Sequence, residues 1–245
     1  GSWEGLLTVI FEVFDRKESP VAIFSNEGES FRLFEEVRII TTDLQRAERV
    51  AKGILKQSKL TYKRIIRAFL SEQNDRELLC FELSRILFRN AQQAESDYGN
   101  PVVLRAKQIE KEMSREVHRM HAFVRFQKAQ DNIWYAFIQP DFDVLPLIGR
   151  HFERRYADQS WVIYDLKRKY GIFYNLDKVD FIQIDFESRV RGGKLPECSM
   201  DDSELVYQNL WKKYFEHVNI KERKNMCLHI QHVPRRYWNL MTEKL

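Results

Sequence analysis

Cysteine is scarce in this chain. Cys80, Cys198 and Cys227 are the only three in 245 residues, too few and too scattered for the disulfide framework that staples small secreted domains. Glycine and proline are sparse too, at 9 and 6, which excludes collagen-like and low-complexity chains. No apolar run approaches the roughly 20 residues that span a bilayer, so no membrane association is expected. No basic-then-apolar leader opens the chain, and a cytoplasmic protein is expected. Familiar enzyme signatures are missing as well. The chain holds no Gly-x-x-x-x-Gly-Lys-Ser/Thr loop, no Gly-x-Gly-x-x-Gly, no Gly-x-Ser-x-Gly, no His-Glu-x-x-His and no Cys-x-x-Cys, so the common nucleotide and hydrolase chemistries lose support. A strong excess of one charge sign is also lacking. Lys+Arg number 40 against 36 Asp+Glu, a net charge of +4. Residues 1–117 carry 19 of each sign and residues 118–245 carry 21 and 17, so the whole excess falls in the second half. Dedicated nucleic-acid domains show stronger clustering; phosphate binding is permitted here, not demanded.

What is present is a chain able to bury a core, 44% hydrophobic and 31% charged. At roughly 150 residues per domain, the length fits one large domain or two smaller ones. Trp3, Leu6, Leu7, Ile10, Phe11 and Phe14 recur at helical spacing and predict an amphipathic helix over 3–17. Asn26, Gly28 and Ser30 read as a loop, and Val37–Ile40 as a short buried strand. Thr42 or Asp43 then caps a helix carrying Leu44, Ala47, Val50, Ala51, Ile54 and Leu55. Further helical stripes follow at Tyr62–Phe69 and Leu79–Leu87, and Asn100-Pro101 opens another through Val103, Ala106, Ile109, Met113 and Val117.

The period then changes. His121, Phe123, Arg125 and Gln127 alternate with Ala122, Val124 and Phe126, the rhythm of a strand, and Gln130–Asn132 turns it into Ile133–Ile138 as a hairpin. Pro140 and Asp143 open a helix through Tyr156, and Trp161–Asp165 with Tyr170–Tyr174 form a second hairpin. Residues 187–201, with Gly192-Gly193 and Pro196, read as a loop. Asp201 or Asp202 caps a helix with Leu205, Leu210, Trp211, Tyr214, Phe215 and Val218, and Pro234 begins a last short helix near Leu240.

The densest polar cluster, Arg115–Phe126, mixes Arg, His and aromatic residues. On a strand, His121, Phe123 and Arg125 share one face, where Arg contacts phosphate and Phe stacks on a base. An ordinary half-buried strand explains the same alternation. Cys227, His229 and His232 are metal-ligand types, yet a structural zinc site needs four ligands and no second paired motif exists; no metal and no cofactor is expected. Glu222–Asn225 and Arg235–Trp238 pair cations with aromatics, which suits single-stranded nucleic acid or simple packing. Asp141, Asp143, Asp165 and Glu222 are carboxylates whose convergence spacing alone does not show.

Several segments together carry a resemblance: His118-Arg119-Met120 with Phe123–Phe126, Pro140-Asp141-Phe142 to His151-Phe152 and Arg155, and Trp161-x-Ile163-Tyr164-Asp165. Val218–Asn225 and Gln231-His232-x-Pro234-x-Arg236-Tyr237-Trp238 extend it. The chain resembles an uncharacterised bacterial family described as probable DNA metabolism or repair proteins. Its members are similar to a domain fused to uracil-DNA glycosylase-like domains and are paired with a putative radical-SAM DNA repair protein. The glycosylase Gly-Glu-x-Pro-Gly segment and the radical-SAM Cys-x-x-x-Cys-x-x-Cys are absent here, so the resemblance implies the accompanying module.

The expected fold is α+β: a small antiparallel sheet of two hairpins, between a helical N-terminal portion and a C-terminal helical segment. The divisions are 1–100, helical, and 101–245, α+β with C-terminal helices, or the two fuse into one globule. The leading functional expectation is a DNA repair accessory protein that binds DNA, single- or double-stranded, through Arg119, Phe123, Arg125, Arg155, Arg168, Arg223, Lys224 and Arg236. One alternative is a module docking on a radical-SAM or uracil-DNA glycosylase partner. The other is a nucleic-acid-processing enzyme using His118 and His232.

Overall fold

The computed structural model describes residues 1–24, 37–183, 195–196, 199–201, 203–218 and 225–244. The loop read at Asn26–Ser30, most of that at 187–201, the cap Asp202, and Arg223 with Lys224 lie outside them. The chain divides into two compact units, Gly1–Ser114 and Arg115–Leu245.

The first unit is helical. Helix α1, Trp3–Arg16, begins where the Ser2 hydroxyl accepts a hydrogen bond from the Gly5 amide and ends at Lys17 in the left-handed region, φ 56°. Its Leu6, Leu7, Ile10 and Val13 supply one buried stripe, as their three- and four-residue spacing requires. Asp43 accepts from the Gln45 and Arg46 amides and so starts α2, Leu44–Gln57. Ser58 does the same for α3, Lys59–Leu70, followed by α4, Arg76–Arg89, α5, Ala91–Ser96, and the first part of α6, Pro101–Phe123. These helices close over a core that includes Ile54, Ile65, Leu83, Leu87 and Ile109. The strand expected at Val37–Ile40 does not form: the segment is irregular and Ile39 is 79% exposed. A four-residue β-prone run needs a neighbouring strand to satisfy its backbone, and among the described residues this unit has none.

The second unit holds the remainder of α6, then β1, Gln127–Lys128, β2, Trp134–Ile138, α7, Leu145–Arg155, β3, Trp161–Asp165, β4, Tyr170–Tyr174, and β5, Val179–Ile182. Helices α8, Glu204–Val218, and α9, Met226–His232, follow, and 3₁₀ turns cover Arg235–Leu240 and Thr242–Lys244. The α+β class is as expected. The five strands lie in sequence order; the expected hairpin of β3 with β4 forms, while of the first expected hairpin only Gln127 and Lys128 pair with β2. The sheet is nonetheless mixed, because β2 and β3 run parallel, from Trp134 opposite Trp161 to Ile138 opposite Asp165. Helix α7 carries the chain back across the sheet, so its two flanking strands point the same way. A fifth strand, β5, continues the antiparallel side.

A second correction concerns residues 121–126. Helix α6 extends to Phe123, so His121 and Phe123 are helical and share no strand face with Arg125. Met113, Glu116 and Met120, all buried at helical spacing, hold this end of α6 down, and that stripe outweighs the overlapping two-residue alternation. On the sheet, Gly149 of α7 approaches Ile172 and Val179 closely enough that a Cβ would touch both. Phe152 packs on Trp161 at 6.2 Å, while Phe137, Val162 and Tyr164 turn to the other face with Leu195 and Met200.

Candidate phosphate-binding site

Two arginine-bearing loci occur in the second unit, and they differ in how their charges are answered. The first lies at the carboxyl ends of the parallel strands β2 and β3. Glu116 of α6, 1% exposed, accepts hydrogen bonds from the Asp141 amide at 3.0 Å, Arg236 Nη2 at 2.7 Å and Tyr237 Oη at 2.6 Å. Arg236 also pairs with the Asp141 carboxylate, and Arg119 lies 3.7 Å from Glu116. Arg168 donates to Asp165 Oδ2 at 2.7 Å and to the carbonyls of Pro140 and Asp141 at 3.2 and 2.9 Å. The Tyr170 hydroxyl donates to Asp143 at 2.5 Å. Burial first, then hydrogen bonds to the carboxylates, push the hydroxyl pKa of Tyr170 and Tyr237 well above the usual phenol. Against its burial, Arg236 is held still more firmly charged by Tyr237, Glu116 and Asp141. Opposite charges therefore close on each other here.

Arg125 behaves likewise. It grips Glu243 through two bonds, at 2.7 and 3.3 Å, and Trp211 Nε1 donates to the same carboxylate at 3.1 Å. Although burial opposes it, the Arg125 hydrogen bond keeps the Glu243 carboxyl below its ordinary pKa. Arg125 also donates to the Ala122 and Val124 carbonyls at the C-terminal end of α6, where orphan carbonyls call for a donor.

The second locus is α7. Its apolar face, Leu145, Ile148, Gly149 and Phe152, is buried, which sends Arg150, Arg154 and Arg155 to solvent. With His151 they line an open pocket of about 400 Å³. None of the three arginines has a carboxylate partner among the described residues; Arg155 only rests over the Tyr156 ring, at 5.7 Å. Behind the pocket, His151 stacks on His121 of α6 with ring centroids 3.8 Å apart and planes 15° from parallel. Both Nε2 atoms are shielded from solvent and lack a hydrogen-bond partner. Burial, then the neighbouring His151 and His118, lowers the His121 pKa to about 4. Burial and then Arg155 lower that of His151. The result is a set of permanent cations beside neutral imidazoles, with no carboxylate in the lining among the described residues. Chemically such a lining suits an anion.

Of the residues expected to bind nucleic acid, Arg119, Arg168 and Arg236 are brought together, but by carboxylates. Arg125 is committed to Glu243, and Phe123 packs against Tyr237 at 5.4 Å, so neither presents a free surface. Arg155 is the described residue of that set that meets solvent without an acidic partner. His118 is exposed one turn before His121, and His232, also exposed, ends α9. No side-chain contact joins them. Cys227 is exposed, His229 lies 5.8 Å from the Trp238 ring, and among the described residues no group of three His, Cys, Asp or Glu side chains is placed to hold a metal ion. Sequence reading missed Arg150, Arg154 and the His121–His151 stack. The signal was there for two of the arginines: Arg150 and Arg154, four residues apart, fall on the face opposite Leu145, Ile148 and Phe152.

Among the described residues no helix is long and apolar enough to cross a membrane. A family model described as a domain of unknown function, DUF4130, matches residues 74–243, a span that takes in both arginine loci. No curated protein and no solved structure matches the chain.

Proposed function

The chain belongs to the DUF4130 family, and from that premise we propose that it is an accessory nucleic-acid-binding protein of DNA metabolism whose phosphate contacts come from α7. The observation that carries this reading is the unanswered charge of Arg150, Arg154 and Arg155 on one pocket. Arginine presents a planar fork of donors that matches phosphate oxygens, and holding three of them within two turns of one helix, with no acidic partner among the described residues, costs repulsion that a polyanion removes. The resemblance to DNA metabolism and repair proteins supplies the setting. The test is fluorescence anisotropy with labelled single- and double-stranded DNA across a salt series. Arg150→Ala, Arg154→Ala and Arg155→Ala are each expected to weaken binding and to lower the salt slope by about one. Slopes unchanged in all three folded variants would remove α7 from the interface.

A second reading is favoured by α8. Val206, Tyr207, Leu210, Trp211 and Tyr214 are all exposed, Tyr207 at 63%, an apolar stripe of the kind that seats on another protein. The resemblance names the partner class, a radical-SAM or uracil-DNA glycosylase-like protein. Co-purification with the radical-SAM protein, lost in Leu210→Asp, supports this reading; the absence of a complex sinks it.

A further inference from the structure

The histidine stack plays no part in a simple electrostatic receptor, yet it forms the inner wall of one. Resting on the phosphate-binding reading above, we infer that the His121–His151 pair couples anion binding at α7 to proton uptake: an anion among Arg150, Arg154 and Arg155 draws a proton onto the pair, and the site tightens in mild acid.

The geometry makes the coupling. His151 lines the pocket with the arginines, and its ring lies face to face with His121 at 3.8 Å. A proton on either ring is opposed by its neighbours among the described residues: His151 and His118 act on His121, Arg155 acts on His151, and Arg150 and Arg154 line the same pocket. Among the described residues no carboxylate pairs with the stack or with these arginines. Glu153 is two residues from His151 and so off its face, Glu116 is engaged by Arg236 and Tyr237, and Asp180 of β5 pairs with Lys178. Burial adds to the cost, since both Nε2 atoms are cut off from water. The pair therefore rests neutral, with His121 at about 4. A bound phosphate cancels the arginine field, and the cost of protonation falls. Linkage then fixes the sign. If the anion raises the affinity for a proton, the proton raises the affinity for the anion by the same factor. Affinity grows as pH falls from the ordinary histidine value of about 6.5 toward the resting value.

The experiment uses a labelled oligothymidylate, whose bases do not titrate here, at fixed salt from pH about 7 to about 5. The dissociation constant is expected to fall several-fold over that range, with a limit of about tenfold per pH unit for one proton. His121→Gln flattens the dependence and His118→Gln keeps it. A flat profile in the wild type, with its salt slope intact, overturns the coupling and leaves the phosphate-binding reading standing. Loss of all binding at low salt overturns both. A dependence that survives His121→Gln but vanishes in His118→Gln overturns the assignment to the stack. Imidazole NMR titration of the wild-type protein gives a readout independent of mutant folding: the His121 and His151 midpoints move upward when the oligonucleotide is added, and unmoved midpoints with oligonucleotide bound overturn the inference.

Discussion

Helix α7 and the carboxyl ends of β2 and β3 lie in the same unit and carry the same residue type, but their arginines do different work. At the strand ends, Arg168 and Arg236 are bound to Asp165, Glu116 and Asp141 and tie the β2–α7 connection and the 3₁₀ turn at 235–240 to α6. On α7, Arg150, Arg154 and Arg155 meet no carboxylate among the described residues. The difference is one of partners, not of composition. A buried carboxylate must be paired because an isolated charge out of water is costly, so arginines bound to Asp165 and Glu116 report on folding. Exposed, unpaired arginines concentrated on one pocket report on what binds.

Substitution separates the two kinds. The largest effect is expected for Arg168→Ala, whose side chain is 8% exposed against 0% for Asp165. It leaves a buried carboxylate without its cation and costs about 3–5 kcal/mol in urea unfolding, with the DNA salt slope of the folded fraction unchanged. Arg236→Ala ranks next at about 2 kcal/mol, because Glu116 keeps the Asp141 amide and Tyr237 hydroxyl and Arg236 is itself 40% exposed. Arg150→Ala or Arg154→Ala is expected to change stability by less than about 0.5 kcal/mol while lowering the salt slope. If Arg236→Ala lowered the slope and Arg154→Ala did not, the roles assigned to the two regions would be reversed.

The sequence was legible wherever local periodicity met no competitor. The stripes of α1 through α4 and the β3–β4 hairpin followed from spacing, and Asp43 capped α2 as its type required. Residues 121–126 failed because two periods fit the same letters, and the choice lay with distant packing on Met113, Glu116 and Met120. The parallel β2–β3 pair failed for a different reason: sequence order gives a strand, a helix and a strand, but not which edge the second strand joins. Arg119, Arg125, Arg168 and Arg236 were singled out as phosphate contacts, and three of them, Arg119, Arg168 and Arg236, do come together. What spacing could not show was the acid waiting for each, Glu243 lying 118 residues from Arg125 and Glu116 lying 120 from Arg236. The α7 arginines needed only the recognition that a helix with one buried face presents the other.

The smallest effect concerns the histidine stack in the absence of any ligand. His121 is lowered from 6.5 to about 4, so between those values the unfolded chain holds the proton that the folded chain refuses. Stability therefore rises with pH across that window, is fully present above about 6.5, and is lost progressively as pH falls toward about 4. Burial is the largest cause and the charge of His151 comes second, which ranks two variants. His121→Gln removes the titrating group and should flatten the urea midpoint between pH about 6.5 and about 4.5 most. His151→Gln removes only the like-charge neighbour and should flatten it part of the way. Because α7 arginines add to the positive field, Arg155→Ala should also soften the acid loss, through His151, on which Arg155 acts directly. An Arg236→Ala protein, its guanidinium already matched by Glu116 and Asp141, should keep the full slope. Equal slopes in Arg155→Ala and Arg236→Ala would mean that the field at the stack does not come from the unpaired arginines, and the contrast between the two loci would reduce to burial alone.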